Sequence, residues 1–181
     1  NRSALALGGG KLELVGKAST ANSQQFNGAT VAAGASAISL TQGDAGNTIA
    51  LNLGSLSRQA AGTLNITLPA GNQDGTNGVI ATGLNTSNGV LVSAASNGIA
   101  FATVGGSDWA GVSGNNIVAF TGYDDDSFDA GANTNVVSDQ SALGATINTL
   151  RFNDTVARTV TLNGVNTIAT GGILVTDQTA A

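Results

Sequence analysis

The 181-residue chain contains no cysteine, no histidine and no methionine, and only one proline and one tryptophan. Without cysteine there is no disulfide framework, and without cysteine or histidine no thiolate or imidazole metal site. No serine has an imidazole to activate it as a nucleophile. Charge is scarce: Asp, Glu, Lys and Arg make up 9% of the residues, against about 25% in an ordinary soluble domain. The basic residues Arg2, Lys11, Lys17, Arg58, Arg151 and Arg158 are scattered, and the net charge is -5. That balance argues against nucleic acid, whose phosphates demand Lys and Arg. No apolar run reaches the roughly 18 residues of a membrane-spanning helix, and no signal peptide is visible. A chain opening at Asn1 rather than Met is expected to be a processed unit, or an excerpt of a longer surface protein.

What the chain does have is glycine (26 residues), threonine (21) and asparagine (19), with 41% hydrophobic residues. Disorder needs low hydrophobicity and high net charge, so the chain is expected to fold as a single domain over 1–181. Its surface must be wetted by Thr, Ser, Asn and Gln. The small polar residues interrupt every window long enough for a helix. Strand-like runs recur instead at 11–15, 37–40, 48–53, 63–68, 90–92, 99–104, 117–120, 145–152, 158–162 and 173–175. In 63–68 the alternation sends Leu64, Ile66 and Leu68 to one face and Thr63, Asn65 and Thr67 to the other.

Asn-Gly pairs at 27–28, 77–78, 88–89, 97–98 and 163–164 mark sharp turns. Asn-Gly ordinarily signals a hairpin, but a spacing of 26 residues favours solenoid corners. Leu12, Ile38, Leu64 and Val90 are 26 apart, as are Leu14, Leu40, Ile66, Val92 and Val118. Periods of this size mark stacked repeats. The fold expected from this spacing is all-β: a parallel β-solenoid (β-helix), made right-handed by the resemblance given below, with coils of roughly 26 residues and variable corner loops. About 7 such coils would make a rod segment ~33 Å long. Stacking also sets like residues above one another, so Asn amides and Thr hydroxyls are expected to form ladders.

Four stretches resemble bacterial autotransporter-associated β-strand repeat proteins: LALGGGKLELVG at 5–16, the strands of 23–58, FATVGGSDWAGVSGNNIVAFTGY at 101–123, and LRFNDTVARTVTLNGVNTIATGGILVT at 150–176. The handedness comes from this resemblance. It implies a passenger-type β-solenoid on the cell surface, and says nothing about an active site.

Candidates for chemistry are few. Asp124, Asp125, Asp126 and Asp129 fall within six residues, and hard oxygens at that spacing suit Ca²⁺. Neither the EF-hand nor the nonapeptide Ca²⁺ pattern is met, so a solvated acidic loop is the rival reading and the metal remains open. Asp108 beside Trp109 has the make-up of a sugar-binding pair; the rival is a Trp in the core. Arg151 and Arg158 flank Asp154 as a local ion pair. Glu13 is the only Glu, in an alternating strand. The glycines of 8–10 lack the Lys-Ser/Thr of a P-loop and precede a strand, so they form a turn. No catalytic residue and no cofactor are expected.

The function expected is a non-enzymatic, extracellular structural module, a subunit of a surface fibre or filament. The segments 3–15 and 166–176 carry few charges and no proline to blunt their edges. They are expected to join head to tail with other copies, or to be covered by further coils of the same longer chain. An adhesin or a module binding surface glycans is the alternative, and a polysaccharide-degrading enzyme a distant third.

Overall fold

The computed structural model describes residues 3–93 and 98–179, and among them every regular element is a β-strand. The first round of chain holds β1 (Leu5–Leu7), β2 (Lys11–Val15) and β3 (Asn22–Gln25). Next come β4 (Ala29–Val31), β5 (Gly34–Thr41), β6 (Ile49–Arg58), β7 (Gly62–Thr67) and β8 (Gly78–Thr82). A middle section contains β9 (Asn85–Ser87), β10 (Val90–Val92), β11 (Ala102–Val104), β12 (Asp108–Ser113) and β13 (Asn116–Ala119). The last part holds β14 (Asp124–Asp125), β15 (Asn133–Val136), β16 (Gln140–Leu143), β17 (Thr146–Phe152), β18 (Val160–Asn163) and β19 (Thr167–Val175).

Parallel ladders build the first part. They run β1–β4–β6, β2–β5–β7–β11 and β3–β6–β8. The resulting 13-stranded sheet begins on β1 and ends on β2, so it curls round its core into a nearly closed, barrel-like wall. Leu7, Val31, Ile38, Leu51, Ile66 and Val79 fill that core. In β7 the alternation expected from sequence is met: Leu64 and Ile66 are buried, while Thr63, Asn65 and Thr67 are exposed.

Close stacking fixes the corners. Gly54 has φ +69°, and a Cβ there would lie 2.6 Å from the Gly28 amide nitrogen of the round beneath. Only glycine satisfies both the left-handed backbone and that backbone-on-backbone approach. Gly34 (φ +120°) stands over Gly9 in the same way, 3.0 Å from its Cα.

Two expectations about regularity are corrected. The spacing of 26 holds between β2 and β5, where Leu12 pairs with Ile38 and Leu14 with Leu40. The next step adds two residues: Ile38 pairs with Ile66, and Leu64 sits opposite Ser36. Ile66 then pairs with Val104. The inward column is therefore Leu12, Ile38, Ile66, Val104, and neither Val90, Val92 nor Val118 belongs to it. One extra residue lies in the loop between β5 and β6, where the offset rises to 27, and one between β6 and β7, where it rises to 28, so length varies where no ladder constrains it.

Nor is the sheet parallel throughout. β9, β10, β12, β13 and β8 pair antiparallel, as do β11 and β12. The reason is local: Asn88 (φ 44°) and Gly89 (φ 84°) make a two-residue hairpin joining Ser87 to Val90. The ordinary reading of Asn-Gly holds there. At 27–28, 77–78 and 163–164 the pair turns a corner between non-adjacent strands; Asn97 lies outside the described residues.

Parallel pairing resumes in β14–β15–β17–β19 and in β16–β18. Val136, Ile147 and Leu150 form a second core inside these ladders. Ten expected runs fall wholly or partly on strands, and the polar strands β3, β14 and β15 were not anticipated.

Ile66→Asp is expected to cost at least ~4 kcal/mol, because a carboxylate would replace a fully buried side chain with no partner. Asn65→Ser, on the exposed face of the same strand, should cost at most about 1 kcal/mol. Urea denaturation of both variants checks this; equal damage would mean that both faces of β7 are buried.

Candidate functional site

The acidic loop is organised by its own hydrogen bonds. Asp126 accepts from the Val137 amide (2.8 Å), the Ser138 amide (3.1 Å) and the Ser138 hydroxyl (2.6 Å). Burial pushes its pKa up, but the hydrogen bonds from Ser138 and Val137 outweigh it and hold the carboxyl below the ordinary value. Asp125 accepts from Asn135 Nδ2 at 2.7 Å, and Asp124 from the Asn133 amide at 3.4 Å. Among the described residues, no three Asp, Glu, His or Cys side chains converge as a metal would require. The carboxylates cap the start and end of β15.

β15 itself is polar and buried, because its side chains meet partners on both sides. Asn148 Nδ2 donates to Asn133 Oδ1 (2.7 Å) and to the Ser87 carbonyl (2.9 Å). Thr149 Oγ1 donates to Asn133 Oδ1 (3.0 Å), and Asn133 Nδ2 to the Asn88 carbonyl (2.9 Å). Arg151 Nε donates to Asn135 Oδ1 (2.9 Å), and Nη1 to the Asp108 carboxylate (2.5 Å) and the Ser107 carbonyl (3.2 Å). The expected ladders of like residues are not formed here, since Asn133 stands over Thr149 and Asn135 over Arg151; the Asn and Thr side chains instead make a mixed network at the seam between the middle section and the last parallel ladders.

Trp109 is a core residue. It is 4% exposed and packs with Val90, Val92, Ala100 and Phe120, so it has no open face for a sugar. Asp108 is committed to Arg151. The sugar-binding pair inferred from their adjacency is therefore not formed. Arg151 does not pair with Asp154; that carboxylate binds Arg158 at 2.5 Å. Glu13 lies beside Lys11 at 3.4 Å, both half exposed.

Sequence reasoning missed Tyr123. Its hydroxyl accepts from the Trp109 amide (2.8 Å), its ring lies 3.5 Å beneath the Arg151 guanidinium, and Phe120 meets it edge-on at 5.0 Å. Burial pushes its pKa up to about 12. No local pattern announces this cluster, because Asp108, Tyr123 and Arg151 come from three separate segments.

The largest apolar exposure lies on the last ladders. Among the described residues β18 pairs in a ladder only with β16, and β19 only with β17; apart from the Ala100 amide on the Thr170 carbonyl (3.3 Å), each leaves one backbone edge open. Ile173 continues the column Thr134–Leu150, and Val175 the column Val136–Phe152. Both side chains face the core side of the ladder, yet they are 57% and 62% exposed. Leu162, above Ala142, is 67% exposed. Between these strands opens an apolar cavity of about 280 Å³, lined among others by Ile147, Leu150, Phe152, Leu162 and Ile173.

No family model matches the chain, and no curated protein or solved structure matches it.

Two measurements test the site. The chain has a single tyrosine, so tyrosinate absorbance near 295 nm reads Tyr123 directly. The midpoint should lie at about 12 in the folded protein and fall to its ordinary value near 10 in denaturant. Because the folded pKa is raised, the associated stability is complete below pH ~10 and is lost as pH rises toward about 12. Discounted for partial exposure, that loss is about 1–2 kcal/mol. For the acidic loop, Asp126→Ala should lower the melting temperature by several degrees, while a chelator leaves the unmodified protein unchanged; a large chelator effect would mean a Ca²⁺ site.

Proposed function

We propose that this protein is a non-enzymatic structural module of a bacterial surface or extracellular fibre, of the autotransporter-associated β-strand repeat kind. In this reading its parallel ladders are the coils of a right-handed β-solenoid, and the antiparallel section is an insertion between two coil stacks. The module's work is to extend β-structure by pairing its open ladder with the first coil of a neighbouring copy.

The observation that carries the reading is the state of β18 and β19. Their free backbone edges run alongside Leu162, Ile173 and Val175, side chains of core columns that are left exposed. An open ladder edge templates further pairing, and here no charged residue stands on either strand to oppose it. The other partner is available too: among the described residues β1, β2 and β3 each pair with a single neighbour, and Leu12 and Leu14 are half-buried. Two different open ends on one unit make a heterologous contact, which grows into a filament when its rotation does not close.

Electron microscopy of the purified chain tests this. Uniform filaments are expected, and the double variant Ile173→Asp/Val175→Asp should stay monomeric with its β-sheet circular dichroism intact. Unmodified protein that remains monomeric at high concentration, with the same circular dichroism, overturns the proposal.

A further inference from the structure

A second feature lies on the other side of β19 from the apolar cavity, with Ile173 bordering both. The outward face of β5, β7 and β11 meets the 171–174 stretch of β19 across an open cleft of about 470 Å³. That volume is within the range of small-ligand sites. We propose that this cleft binds a short anionic oligosaccharide, a chain of uronic acid type.

Unused hydrogen-bond donors gather along it. Arg58 spends its Nε on the Gly62 carbonyl at 2.9 Å. Its two Nη groups have no partner among the described residues, and its guanidinium stands 6.0 Å from the centre of the Phe101 ring. Asn65 Oδ1 already accepts from the Thr103 hydroxyl and the Gly106 amide, each at 3.0 Å. This orients the side-chain amide and leaves its Nδ2 donor unspent. The Thr63 hydroxyl is exposed and unpaired among the described residues. Trp109 borders the cleft but is 4% exposed, so it reports on an occupant without stacking on it.

Charge selects the ligand. Arg58 is the one charged residue among those lining the cleft, and no carboxylate lines it. In a protein of net charge -5 this is a local site for an anion. The paired Nη donors match a carboxylate bidentately. Between the donors the lining is apolar or small: Leu64, Ala100, Phe101 and Gly171. A Cβ at Gly171 would meet nothing within 4 Å, so that wall is open. A uronate chain presents carboxylates, hydroxyls that both give and take hydrogen bonds, and C–H faces, in keeping with each part of the lining.

The single tryptophan makes the test specific. Trigalacturonate, titrated into the full chain, should change Trp109 emission saturably, and calorimetry should give the same midpoint. Arg58→Gln should weaken binding by about tenfold or more, and Asn65→Ala by roughly threefold. Both variants must keep the wild-type circular dichroism. Maltotriose, neutral and similar in size, should bind at least about tenfold more weakly. The proposal is overturned if trigalacturonate fails to bind at millimolar concentration, if Arg58→Gln binds it equally well, or if a tri-glutamate peptide binds more tightly.

Discussion

The guanidinium of Arg151 occupies the contact between the antiparallel section and the last parallel ladders, and both depend on how it is satisfied. It is the only charged residue buried among those described. Taking a cation out of water costs several kcal/mol unless its donors are met. Here Asp108 and Ser107 come from the middle section, Asn135 from β15, and the Tyr123 ring lies beneath. Removing one partner would leave a buried charge unpaired, a loss of about 3–5 kcal/mol. The pair therefore specifies where the two parts meet more than it adds net stability. The same region excludes any bulk on β19: a Cβ at Gly172 would lie 2.9 Å from Ala100 Cβ and 3.0 Å from Trp109 Cζ2. That glycine lets the strand lie flat against the core around Trp109.

Around this point the chain solves a problem set by its composition. With few charges, it cannot keep its polar groups in water by ionic side chains. It pairs them instead. Asn77 shows the method at a corner: it is 4% exposed, yet its Oδ1 accepts from the Ile49 amide and its Nδ2 reaches the Ala70 and Asn72 carbonyls. Asn133 and Asn148 do the same work between ladders. An amide offers two donors and two acceptor sites, so one Asn can close several open backbone groups where the chain turns.

This also explains what could be read in advance. Strands with alternating apolar residues were legible because burial imposes period two on them; 63–68 is the clearest case. The step from Leu12 to Ile38 was legible because β2 and β5 carry apolar residues two apart in register. The step from Ile38 was not, since residues added one at a time in two corners leave no mark on the strand. β15, Asn-Thr-Asn-Val, looks like a loop; only partners 15 and 16 residues further on make it a buried strand. The Asp154–Arg158 pair was visible as a four-residue spacing, whereas Asp108 and Arg151 are 43 apart. Trp109 had two readings for a related reason, a core residue or half of a sugar-binding pair. A carboxylate beside an aromatic fits both until its partner elsewhere in the chain is known, and here that partner, Arg151, leaves the core reading.

The change in coil size constrains the proposed assembly. Near the start, neighbouring rounds are offset by 24 residues at Leu5–Ala29 and by 28 at Ala37–Asn65. In the last ladders the offset is 16 at Asn133–Thr149, 21 at Thr146–Thr167 and 23 at Leu150–Ile173. A neighbour's first round is therefore wider than the last by as little as one residue at β19, and the joining strands must be matched by their apolar spacing. Core columns need apolar residues two apart on the joining strands. On β19 these are Ile173 and Val175, and on β2 they are Leu12 and Leu14. Joined in that register, Glu13 falls beside Leu174, on the face turned toward Trp109 and Tyr123. The side chains flanking Glu13 would cover the exposed columns while its carboxylate stays at the rim. On β1 the pair at the same spacing is Leu5 and Leu7, and β18 presents Val160 and Leu162 to the cavity, also two apart. Two pairings of matched spacing, β2 with β19 and β1 with β18, would then flank the open apolar cavity.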